Sequence, residues 1–166
     1  MNTKLDKVTT QYIEFEDRVR VLGITDDNQT HEIWFTRRLL DRLVIALLSS
    51  LEKQRPNKAK NDIHMAFDQE VAVTNYMPET PVPASQEVSS WLADSVDITS
   101  NENGVILHFK KENLFKAELP FEFEPLRQWL FILYKTYKHS QWPLNSWPEW
   151  FLTSEDSDIK PTQIYH

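Results

Sequence analysis

The chain has 166 residues, of which 40% are hydrophobic and 26% charged, a composition that suits one well-packed domain and argues against overall disorder. Only 2 glycines are present and no cysteines, which removes glycine-rich nucleotide loops, disulfides, thiolate zinc sites, iron-sulfur clusters and thiol nucleophiles. A formal net charge of −7 disfavours nonspecific attraction to nucleic acid or to an anionic membrane.

The N-terminal stretch MNTKLDKVTTQYIEF lacks the apolar run of a signal peptide, and every long apolar stretch is interrupted by Arg, Lys or Asp. The expectation is a soluble cytoplasmic protein. Ile13, Phe15, Val19 and Val21 alternate as the inward residues of a half-buried strand, with Glu14, Glu16, Arg18 and Arg20 outward. Beyond Gly23 the apolar parity shifts to Leu22 and Ile24, which reads as a bulge or twist. Asp26 to Gln29 form a turn, and His31 to Phe35 return as the second strand of a hairpin.

Thr36 is placed to cap a helix, which carries Leu39, Leu40, Leu43, Val44, Leu47, Leu48 and Leu51 at spacings of three and four and ends near Arg55-Pro56-Asn57. Residues 61–75 read as a weaker helix with Ile63, Phe67, Val71 and Thr74 on one side, a strand being the other option because of Val71 and Val73. Pro78, Pro81 and Pro83 then make a stiff, extended spacer.

After the spacer come Val96 and Ile98, a turn from Ser100 to Gly104, the alternating Val105, Leu107 and Phe109, a second turn at Lys110 to Asn113, and Phe115, Ala117 and Leu119. This predicts a three-stranded meander. Pro125 suits the first turn of a helix with Glu122 or Glu124 at its positive end, and from Leu126 to His139 that helix is apolar almost all round.

The two halves share a register. Val19, Val21, Ile33, Phe35, Leu40, Leu43 and Leu47 match Val105, Leu107, Leu119, Phe121, Leu126, Trp129 and Leu133, each pair lying 86 positions apart (105 − 19). The predicted fold is therefore α+β, with an antiparallel sheet or sheets, two long helices and an internal β-β-α duplication of approximate two-fold symmetry. Residues 1–153 make one domain of two repeats, 12–54 and 94–140, joined by the short helix and Pro-rich spacer of 56–85, and residues 154–166 make a flexible acidic tail. A homodimer would cover the apolar surface left over.

Two clusters are candidate binding sites. Thr36, Arg37, Arg38 and Arg42 gather cations at the positive end of a helix, which invites an anion, while pairing with Glu122 and Glu124 of the other half is the competing reading. Trp142, Trp147, Trp150 and Phe151 offer flat stacking surface to a partner, unless the segment folds back to close the core. The five histidines, His31, His64, His108, His139 and His166, match no metal-ligand spacing. Asp62 beside His64, Asp97 with His108, and the carboxylate pairs Glu14/Glu16 and Asp94/Asp97 fit no recognised catalytic motif. No catalytic residue, metal or cofactor is assigned. The leading expectation is a non-catalytic protein-interaction or adaptor module, followed by an anion or small-ligand binding module and then a cryptic hydrolase.

Overall fold

The computed structural model describes residues 3–54, 61–83, 87–153 and 164–165. In chain order the strands are β1 (Leu5–Ile13), β2 (Arg18–Thr25), β3 (Thr30–Phe35), β4 (Val88–Leu92), β5 (Ser95–Ser100), β6 (Gly104–Lys111), β7 (Leu114–Glu122) and β8 (Ile164–Tyr165). The helices are α1 (Arg37–Lys53) after β3, α2 (Asn61–Thr74) before β4, α3 (Phe123–Ser140) after β7, and the short α4 (Glu149–Thr153). They build an α+β fold with two sheets, a five-stranded one of order β4-β3-β2-β1-β8 and a three-stranded one of order β5-β6-β7. All pairings between strands are antiparallel except β3 with β4, so the larger sheet is mixed where an antiparallel sheet is predicted. One hydrophobic core takes residues from both sheets and from the helices.

The predicted first strand is two elements. A 3-10 turn at Glu14–Glu16 and a left-handed Asp17 (φ 50°) interrupt it, and Phe15 stands 88% exposed at the bend. The segment before the bend is β1, which pairs with β2 and makes the first unit a three-stranded meander as well. It hides from a hydropathy reading because both of its faces bury a threonine: Thr10 shares the inward face with Val8 and Tyr12, opposite Val21, and Thr9 lies on the other face beneath the Pro-rich spacer, their hydroxyls accepting hydrogen bonds from Trp129 Nε1 and Val82 N. Parity does not shift at Gly23 either: Val19, Val21, Gly23 and Thr25 all face inward along β2. A Cβ at Gly23 would sit 2.7 Å from Leu5 Cδ1, so the glycine makes room for the side chain that caps this end of the core.

The hairpins of the two units share one register. Val19 faces Phe35 and Val21 faces Ile33, while Val105 faces Phe121 and Leu107 faces Leu119. The units also exchange their first segments. Ser90 of β4 lies parallel to Glu32 of β3, and Lys4, just before β1, lies parallel to Glu118 of β7. Backbone hydrogen bonds fix both contacts, Ala93 N to Trp34 O at 3.0 Å and Glu118 N to Thr3 O at 2.9 Å.

Residues 61–74 are helical, and the stripe of Ile63 and Phe67 faces outward. Met65, Gln69 and Ala72 are buried against α3 and α4, whereas Ile63 is 78% and Phe67 62% exposed. The Pro-rich spacer crosses β1, where Lys7 Nζ donates to Thr80 Oγ1 and Val82 is buried. Of the predicted acidic tail, 154–163 lie outside the described residues, and Ile164–Tyr165 pair with Gln11 and Thr10 of β1. Among the described residues no helix is long and apolar enough to cross a membrane.

The two glycines give a graded test of this packing. A Cβ at Gly104 would meet Phe121 O at 1.8 Å, backbone that cannot move aside, while at Gly23 it meets only the end of a leucine side chain. Gly104→Ala is expected to cost more than about 2 kcal/mol and Gly23→Ala about 1 kcal/mol in urea unfolding, and equal costs would contradict the close strand approach at Gly104.

Candidate functional site

Helix α1 begins where the sequence places it. Thr36 is extended (ψ 154°) and its Oγ1 accepts from Leu39 N at 3.2 Å, while Arg37, Arg38 and Arg42 are exposed. Among the described residues no ion pair joins these arginines to Glu122 or Glu124. The reason is direction. Tyr137, near the end of α3, bonds Asp41 near the start of α1, and Gln54 at the end of α1 shares a groove with Phe123 and Glu124 at the start of α3. The helices are thus antiparallel, and 17 residues of α1 separate the two N-termini by about 25 Å.

Local carboxylates face the arginines instead. Asp17 Oδ1 accepts from Tyr12 Oη at 2.7 Å and from Trp142 Nε1 at 2.8 Å. Those two donors, Tyr12 first, hold the Asp17 carboxyl below its usual range, with the nearby Arg37 charge adding to the effect. Burial, and then the bond to Asp17, push Tyr12 up to about 12. Tyr137 is raised further, by burial first and then by its 2.6 Å hydrogen bond to Asp41 Oδ1. These groups fasten the bend after β1 and the end of α3 to the start of α1. Arg37 lies in the field of Asp17 and one helical turn from Asp41, so it is not an unmatched positive charge.

Trp142, Trp147, Trp150 and Phe151 are all buried. Tyr134 meets Trp147 edge-on at 5.2 Å, Trp147 lies 4.8 Å from Phe151, and Tyr137 meets Trp142 at 5.1 Å. The segment folds back on α3 and closes the end of the core, the competing reading of the sequence; the four rings are not an exposed surface in this fold. Leu144 and Pro148 carbonyls accept from Trp147 N and Phe151 N, which turns the chain into α4.

The histidines and carboxylates do not converge. His108 faces Asp97 in register, but Asp97 pairs with Lys110 while the imidazole lies 3.2 Å from Thr99 Oγ1 and 3.7 Å from Glu118 Oε2. His31 is half-buried in an open groove with Asp27, Glu87 and Lys116, and burial lowers its pKa. His64 is exposed on α2, His139 lies edge-on to Tyr12, and His166 is outside the described residues. Asp94 is occupied by Ser95 Oγ and Glu112 N, and Glu14 and Glu16 are exposed at the bend. Among the described residues no group of three or more metal-binding side chains comes together.

The candidate surface that the sequence did not single out is the outer face of α2. Phe67 and Val71 border a groove of about 490 Å³, completed by Phe123 and Gln54 and by the carboxylates of Asp68 and Glu124. Beneath it lies Arg127, 4% exposed, whose guanidinium is 3.7 Å from Asp68 Oδ2 and 3.4 Å from Met65 O, and whose own carbonyl accepts from Gln69 Nε2 at 2.9 Å. The 63/67/71 spacing was the signal for this surface, but spacing does not say which side is covered. No known family, curated protein or solved structure matches the chain.

Truncating the rings separates core from contact surface. Trp147→Ala is expected to lose about 3–5 kcal/mol in denaturant unfolding. A loss below about 0.5 kcal/mol would return Trp147 to the surface.

Proposed function

We propose that this chain is a non-catalytic protein-interaction module whose contact surface is the solvent face of α2 and the groove beside Phe123. One observation carries the reading: large apolar side chains at helical spacing, Ile63 and Phe67, stand exposed next to a groove on a chain that has a full hydrophobic core elsewhere. Isolated exposed apolar residues are ordinary, whereas a contiguous stripe bordering a concavity marks contact. A benzophenone side chain introduced at position 67 should give a discrete protein adduct on irradiation in cells, and one at the exposed Lys116 should not. Equal labelling from both positions, or none from 67, sinks the reading.

We propose further that the two β-β-β-α halves descend from a tandem duplication with an approximate two-fold. Supporting this are the shared hairpin register, the onset of α1 at Arg37 and of α3 at Phe123, and the reciprocal parallel contacts of Ser90 with Glu32 and Lys4 with Glu118. In each comparison the offset is 86 (123 − 37, 90 − 4, 118 − 32). Each half then depends on the other for the segment beside its third strand. Chains split between Pro83 and Glu87 should be insoluble when expressed singly and should co-purify as one folded species when expressed together. A first half that melts cooperatively on its own would contradict this.

A further inference from the structure

Resting on the α2 contact surface above, we infer that its partner is a cationic amphipathic helix. The length and spacing fit: Ile63, Phe67 and Val71 recur every fourth residue along a helix of 14, which presents a linear apolar ridge to a partner helix rather than a socket for a compact ligand. The groove beside the ridge is open along one side and receives further apolar contact from Phe123.

Charge selects among amphipathic partners. Glu70 is exposed one turn beyond Phe67 on the same side of α2, and the groove is bordered by Glu124, whose Oε1 accepts from Asn75 Nδ2 at 3.1 Å, and by Asp68, whose charge is shared with Arg127. Arg127, the basic residue lining it, is buried and faces Asp68 and the Met65 carbonyl, so it presents little positive charge to an incoming chain. The C-terminal end of α2 adds the negative pole of its backbone dipole at the same place. A second copy would bring the same acids back against themselves, and two chains of net charge −7 repel. A helix with leucine-like residues at i, i+4 and i+7 flanked by lysine or arginine meets both the ridge and the acids.

The test uses the full chain and two synthetic peptides of about five helical turns, one of leucine and lysine and one of leucine and glutamate with the same apolar spacing. Binding is read by fluorescence anisotropy, and the site by hydrogen exchange of 62–74. The expected result is binding of the lysine peptide that slows exchange in α2, weakens on raising the salt from about 0.15 to 0.5 M, and falls about tenfold in Phe67→Ser and several-fold in Glu70→Lys. Both substitutions lie on the surface, and their melting curves should match the parent.

If the glutamate peptide binds equally and Phe67→Ser weakens it equally, the cationic partner is refuted while the α2 contact surface stands. If neither peptide changes exchange in α2, the contact surface itself fails. A dimer in sedimentation that Phe67→Ser dissociates would overturn the inference in favour of a second copy. Unchanged affinity of the lysine peptide for Phe67→Ser would overturn it as well.

Discussion

Each meander of this protein ends in a strand whose outer edge is met by backbone from the other half. Residues just before β1 lie against β7, and β4 lies against β3. An unpaired strand edge leaves a row of donors and acceptors that water or another chain must satisfy. Here the chain supplies them internally, and the supply is mutual. Helices α1 and α3 run antiparallel, and Phe35 of β3 meets Phe109 of β6 edge-on at 5.6 Å where the units meet. The bend at Asp17 and the chain after α3 follow from the same constraint, because Tyr12, Trp142 and Asp17 close the end left open beside α1.

A buried guanidinium decides the orientation of α2. Arg127 is buried on α3 between Leu126 and Trp129, and leaving such a charge unpaired would cost on the order of 3–5 kcal/mol. Helix α2 supplies the Met65 carbonyl and the Asp68 carboxylate for the guanidinium and Gln69 for the Arg127 carbonyl. Satisfying the charge thus turns the polar-capable side of α2 inward and the apolar ridge outward. The surface on which the proposed function rests is a consequence of a core ion pair.

The buried aromatic segment shows the converse. Trp142, Trp147 and Trp150 look like a recognition surface when read as a string, but the α3 face they cover, including Tyr134 and Tyr137, is itself apolar and would otherwise meet water. Burial of three indoles there outweighs any benefit of leaving them exposed. The arginines at the start of α1 illustrate a different limit: a pairing with Glu122 and Glu124 is plausible by repeat position and impossible by helix direction.

By itself the sequence determined the secondary structure of both hairpins, the cap at Thr36, the two long helices and the constant offset between halves, because each is written in local spacing and turn chemistry. It concealed β1, which buries a threonine on each face, each satisfied by a distant donor, and β4, whose pairing is parallel and long-range. It also marked a stripe on α2 without saying what covers it. Only the tertiary structure decided that, since which side of an amphipathic helix is buried depends on the partners its other residues find, and Arg127 lies far from α2 in the chain but beneath it in space.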